Sequence, residues 1–82
     1  MRRRMQRFYF HLYNDVIAMD EEGIELPDLA TAKDAAIVNI RDLMKDELVN
    51  GHITLSHRIE IADENGAIMA TVPFSDAVTV EG

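Results

Sequence analysis

Hydrophobic residues recur every three or four positions through the middle of the chain, which is the spacing of one face of an α-helix. Charged side chains occupy most of the positions between them. We therefore predict a long amphipathic helix over about residues 28–50, with Asp28 as its N-cap and the Asn50-Gly51 pair closing its end. The predicted apolar stripe consists of Leu29, Ala32, Ala36, Ile37, Ile40, Leu43, Met44 and Leu48.

Apolar and polar residues alternate on both sides of this helix, which is the pattern of half-buried β-strands. Before the helix, residues 8–13 are predicted to form one strand and residues 16–19 a shorter one. After the helix, residues 58–62 and 67–74 are predicted to form a hairpin around an Asn-Gly turn. The inward-facing positions of these strands are Phe8, Phe10, Leu12, Ile59, Ile61, Ile68, Ala70, Val72 and Phe74.

The order strand, strand, helix, strand, strand predicts an α+β two-layer sandwich, in which a small, mostly antiparallel sheet packs on the long helix. We expect a single domain over residues 5–76, because a chain of 82 residues supplies only one small core. Residues 1–4 are predicted to be a disordered basic extension. Residues 77–82 are predicted to be either a tail or a short extra strand.

Composition narrows the classes of function. The chain contains no cysteine, which excludes disulfides, thiolate metal ligands and a cysteine nucleophile. Its hydrophobic runs are all shorter than the ~20 residues of a membrane-spanning helix. We therefore expect a cytoplasmic protein that does not contact a membrane.

Positive charge is confined to the start of the chain. The net charge is -7, and residues 5–82 carry five Lys and Arg against fifteen Asp and Glu, a net charge of -10. Binding to nucleic acid phosphates requires clustered positive charge, so a nucleic acid partner is disfavoured. A DNA-binding regulator would have to use an N-terminal arm for its phosphate contacts. The candidate residues of that arm are Arg2, Arg3, Arg4 and Arg7.

The histidines are the first candidates for metal or acid–base chemistry. The separations between His11, His52 and His57 fit no zinc-binding pattern. Ser56 is adjacent to His57, but a catalytic triad requires groups that converge from separate elements. We therefore expect no catalytic site, no metal ion and no cofactor, and the residues identify no small-molecule ligand. A metal-dependent enzyme that uses these histidines is the last alternative.

A single helix can cover only one face of the predicted sheet. The opposite face, which we call the outer face, combines aromatic, charged and apolar side chains of the kinds enriched at protein interfaces. It is either an ordinary solvated sheet face or a contact surface for a partner. The residues predicted to lie on it are Tyr9, His11, Tyr13, Arg58, Glu60, Met69 and Thr71.

These features favour a small non-enzymatic module that acts through protein contacts. We expect a homodimer that forms through the outer face or through an exposed strand edge. An antitoxin-like protein is an alternative that rests on fold analogy alone. A DNA-binding regulator that uses the basic arm is a further alternative.

Three segments are distinctive in combination: MQRFYFHLYND near the start, DEEGIELPDLATAKDAA leading into the helix, and HRIEIADENGAIMATVPFSDAV after it. Together they resemble an uncharacterised domain-of-unknown-function family of short acidic bacterial proteins, found chiefly in alphaproteobacteria. The resemblance covers nearly the whole chain from Met5 onward. It implies that residues 1–4 precede the domain, and it implies no activity, cofactor or site residue.

Overall fold

The computed structural model describes residues 4–81, and the predicted α+β two-layer sandwich is confirmed. One long helix packs on an antiparallel sheet of five strands. The elements are β1 (Gln6–Tyr13), β2 (Ile17–Ala18), β3 (Ile24–Leu26), α1 (Leu29–Val49), β4 (Arg58–Ala62), β5 (Ile68–Pro73) and a 3-10 helix (Phe74–Ala77). Three of the four residues predicted to form the basic extension lie outside the described range.

Strand β1 is the centre of the sheet, and every strand pair is antiparallel. Strand β4 lies on one side of β1, with β5 beyond it. The other side of β1 is shared, because β2 pairs with residues 12–13 and β3 pairs with residues 6–8. The sequence prediction missed β3, since an Ile-Glu-Leu step is too short to give a periodic signal.

The predicted helix is confirmed to within one residue at each end. Asp28 is the N-cap, and its carboxylate accepts hydrogen bonds from the Thr31 backbone N–H at 2.8 Å and from the Thr31 hydroxyl at 2.7 Å. At the other end, the Gly51 N–H donates to the Leu48 carbonyl while Gly51 adopts a φ of 82°, in the left-handed region. No helix within residues 4–81 combines the length and apolar character that crossing a membrane requires.

The core lies between α1 and the sheet. Four residues of the predicted stripe, at successive turns of the helix, are fully buried: Ala32, Ala36, Ile40 and Met44. Leu48 continues this stripe in sequence but is exposed, because the last turn of α1 carries it past the core. The residues that face the helical stripe are Phe8, Ile59, Ile61, Val72, Phe74 and Ala77.

The chain turns back onto the helix after β5. The Phe74 N–H donates to the His57 carbonyl at 2.8 Å, and the side-chain Nε of Arg41 donates to the Ala77 carbonyl at 2.9 Å. These two bonds hold the 3-10 helix against α1, so that Phe74 and Ala77 are buried. Residues 78–81 form no strand.

One predicted core position is wrong. Ile68 remains 50% exposed, whereas Val72 on the same strand is buried. The pairing of β4 with β5 shifts register between Ile61 and Ala62, and Ile68 pairs with Ala62 beyond that shift. The shift therefore puts Ile68 in one row with Ala62 and Tyr9, on the face of the sheet away from the helix, so the alternating pattern no longer predicts its burial.

We predict that Ile40→Val lowers the free energy of unfolding by about 0.5–1.5 kcal/mol, because the lost methyl group leaves a cavity between α1 and the sheet. Urea unfolding measures this change. Val38→Ala is the matched control, since Val38 is exposed on the same helix and alanine is the better helix former. Equal destabilisation by both substitutions would contradict the described packing of α1.

Candidate partner-binding surfaces

The sheet register brings the predicted outer-face residues together. His11 pairs with Glu60, which pairs with Thr71, and Tyr13 pairs with Arg58 in the next row. Residues directly opposite one another in an antiparallel pair project from the same face. Tyr9 and Met69 join this face by the alternation of β1 and β5. Tyr9, His11, Tyr13, Arg58, Glu60, Met69 and Thr71 therefore share one surface, although their role in binding a partner stays a prediction.

Three outer-face side chains contact one another. The guanidinium carbon of Arg58 lies 4.3 Å from the centroid of the Tyr13 ring, a cation–π contact. The Arg58 Nε also donates to the Glu60 carboxylate at 2.9 Å. The charged groups of Arg58 and Glu60 are thus already paired with each other within one chain. A partner that bound here would have to compete with contacts that already exist.

The alternation along β1 predicted that His11 would be exposed on the outer face, but the structure buries it. Only 9% of its surface is accessible. The backbone N–H of Asp20 donates to His11 Nδ1 at 3.0 Å. The connection between β2 and β3 runs beside β1, where Asp20 contacts both the His11 ring and the Phe10 N–H, and an alternating pattern within β1 does not reveal such a contact.

The carboxylate of Asp20 holds this connection in place. One oxygen accepts the Phe10 N–H at 3.1 Å, and the other accepts the N–H groups of Glu22 at 3.1 Å and Gly23 at 3.0 Å. Burial acts to raise the pKa of Asp20, but the three backbone donors outweigh it and hold that pKa below its ordinary value. Gly23 has a φ of 67°, and an added Cβ would lie 2.9 Å from the Phe8 carbonyl oxygen.

Strand β5 forms a free edge of the sheet. Within residues 4–81 it pairs only with β4, and Pro73 ends it, as expected for a proline in an edge strand. No charged residue occurs in the sequence IMATVP. Ile68 and Met69 are 50% and 45% exposed. Natural edge strands are usually protected by charges, and this strand has only its terminal proline and the register shift at its start.

A groove opens between α1 and β1. It has a volume of about 310 Å³ and combines an apolar floor with a polar rim on the helix. The floor residues are Phe10, Leu12, Leu43 and Ile59, and the rim residues are Asn39, Asp42 and Asp46. The pattern of residues along the chain does not predict this groove. The only feature of the sequence that relates to the groove is a row of polar residues beside the apolar stripe of the helix. Such a row does not show where the helix lies on the sheet.

One residue of the predicted basic arm, Arg7, contacts the folded domain. The Arg7 guanidinium donates to the Glu22 carbonyl at 2.8 Å and lies 3.5 Å from the Glu25 carboxylate. Arg4 is exposed ahead of β1, and Arg2 and Arg3 lie outside the described residues. Arg7 is therefore engaged with the strand beside it instead of extending away from the domain.

His57 lies between two carboxylates. Its Nδ1 is 3.5 Å from Glu47 and its Nε2 is 3.5 Å from Asp15, while Phe74 packs edge-on with ring centroids 5.5 Å apart. The two nitrogens point in different directions, so the carboxylates cannot share one ion with the ring. Among the described residues, no three His, Asp or Glu side chains are placed to hold a metal ion.

We predict that Asp20→Asn lowers the free energy of unfolding by about 1 kcal/mol at neutral pH, because the amide cannot accept all three backbone hydrogen bonds. The contribution of Asp20 is complete above the ordinary pKa of an aspartate. It is lost as the pH falls through the lowered pKa of the folded state. Urea unfolding across a pH series should therefore show the two proteins converging in acid.

Glu21→Gln is the control for this experiment, since it removes a neighbouring exposed carboxylate. It should leave the free energy of unfolding nearly unchanged at each pH. A constant difference between wild type and Asp20→Asn across the pH series would show that the ionised carboxylate does not hold the connection.

Comparison with known protein families identifies the family of this chain. The model of a family described as Domain of unknown function (DUF6894) matches residues 7–75. Neither a curated protein nor a solved structure matches the chain. The match begins at the second residue of β1 and ends within the 3-10 helix, so it includes the whole helix and nearly all of the sheet. The chain belongs to the DUF6894 family, as the resemblance of its three sequence segments indicated.

Proposed function

We propose that this protein is a non-enzymatic interaction module that forms a homodimer through the free edge of β5. The observation that carries this proposal is an uncharged edge strand with two large exposed apolar side chains, Ile68 and Met69. The proposal keeps the cytoplasmic location expected from the sequence. Unpaired N–H and C=O groups along such an edge are ready to pair with another strand.

The edge at β5 is a better contact surface than the part of the outer face formed by β1 and β4. On that face, Asp20 and its neighbours already cover His11, and Arg58 is bonded to Tyr13 and Glu60 within the chain. Binding there would replace existing polar contacts. Pairing at β5 would instead satisfy backbone groups that have no strand partner among residues 4–81.

A second copy is the partner that suits this edge. Two antiparallel β5 strands related by a twofold axis would present the same residues to each other and would join both sheets into one. A domain of this size has a small core, and additional burial in a dimer would stabilise it. Pro73 at the end of the strand limits the pairing to the residues before it.

We predict that the mass measured by light scattering rises with concentration from 9.3 kDa towards twice that value. Met69→Lys should move the midpoint of this rise to at least about tenfold higher concentration, because each dimer would bring two added like charges close together. Met19→Lys is the matched control, since Met19 is an exposed methionine away from β5, 57% accessible against 45% for Met69, and the charge change is identical.

The control variant should dimerise as the wild type does. Added salt should strengthen association of all three proteins, because each copy of the wild type carries a net charge of -7. A wild-type mass of one chain at every concentration would overturn the proposal. Equal dimerisation of Met69→Lys and Met19→Lys would place the contact elsewhere.

A further inference from the structure

The groove lies beside β1, which the helix does not approach as closely as other elements. The backbone of α1 lies closest to the 3-10 helix, β5, β4 and β3. The inward side of β1 near its C-terminal end is therefore incompletely covered, and Phe10 and Leu12 are half-buried although they face the helix. With Leu43 and Ile59 they give the groove an apolar floor. Incomplete cover of apolar side chains leaves hydrophobic surface that a ligand can bury.

The rim of the groove is acidic. Asp42 and Asp46 are four residues apart on α1, so they are one turn and roughly 6 Å apart along the helix axis. Asp42 has one cationic neighbour, Lys45 at 3.6 Å, and this exposed pair contributes little. Among residues 4–81, no cation pairs with the Asp46 carboxylate. The rim thus offers negative charge to an incoming group.

We infer that this groove binds a short basic amphipathic segment of a partner protein. Apolar side chains of the segment would lie on Phe10, Leu12 and Ile59. Two Lys or Arg side chains of an extended segment, two residues apart, would match the spacing of Asp42 and Asp46. The groove is open along its length, which suits a peptide segment laid against it. Charge complementarity with the rim selects a basic segment over a neutral one.

This inference is independent of the proposed dimer. The groove lies over β1 and Ile59 of β4, on the face of the sheet that packs on the helix. The free edge consists of the backbone groups of β5, the next strand, about 4.8 Å further along the sheet, and none of the residues that line the groove belongs to β5. A partner segment and a second copy can therefore bind the same chain together. Rim substitutions should leave the concentration dependence of the mass unchanged.

The test uses a short, fluorescently labelled synthetic peptide of alternating leucine and lysine, titrated with the full chain and followed by anisotropy. A peptide of alternating serine and lysine carries the same charge without apolar side chains. We expect the leucine-lysine peptide to bind more tightly. We also expect its binding to shift the amide NMR signals of Leu12, Leu43 and Ile59.

Two double variants with the same net charge distinguish the effect of the rim carboxylates on peptide binding from the effect of the overall acidity of the chain. Asp42→Asn with Asp46→Asn should weaken binding of the leucine-lysine peptide by about three- to tenfold, a loss expected for two exposed charge pairs. Asp34→Asn with Asp76→Asn removes two exposed carboxylates outside the groove and should change affinity by less than about twofold. Asn39→Trp should block the groove without altering charge.

Several results would overturn the inference. Absence of binding would do so, as would equal affinity for the two peptides or equal effects of the two double variants. Binding that survives Asn39→Trp unchanged would place the peptide elsewhere. A shift of the amide NMR signals of Leu12, Leu43 and Ile59 on deletion of residues 1–4, measured without peptide, would identify the chain's own basic arm as the occupant in place of a partner protein.

Discussion

The close contact between α1 and the sheet is the constraint on which the other features depend. Ala32 and Ala36 have no side chain beyond Cβ, so the first half of the helix can approach the sheet closely, and Ile40 and Met44 fill the space further along. Phe74 completes this core from the 3-10 helix, which packs beside α1. Because that helix and β5 engage α1 on one side, the other side of α1 stands over a partly uncovered β1. The groove is a consequence of this asymmetric packing.

A different interaction fixes the connection between β2 and β3 beside the sheet. The Asp20 carboxylate accepts hydrogen bonds from three backbone N–H groups, and the Asp20 N–H donates to His11. These bonds hold the connection between β2 and β3 next to β1. Strands β2 and β3 occupy one edge of β1 as well. The helix covers one face of the sheet, and the short strands with the connection between them cover one edge. The other edge, at β5, has no strand partner among residues 4–81, and its residues carry no charge.

The family match and the packed structure cover almost the same residues. The match ends within the 3-10 helix, the last element that seals the core, and its first residue is Arg7, which bonds to the β2–β3 connection. The acidic groove rim and the uncharged edge of β5 both lie inside the matched region. No residue belongs to both surfaces, so the proposed dimer and the proposed partner segment do not compete for the same side chains.

The sequence by itself determined the helix, the main strands and the turns, because these depend on local periodicity, on the Asp28 cap and on glycines that adopt a positive φ. It also placed seven residues on the outer face, since alternation along a strand is a local property. Tertiary structure alone decided that His11 is covered, that Ile68 is exposed and that the helix leaves a groove over β1. Each of these outcomes depends on where separate elements meet in space, and contacts between distant segments leave no periodic trace in the chain.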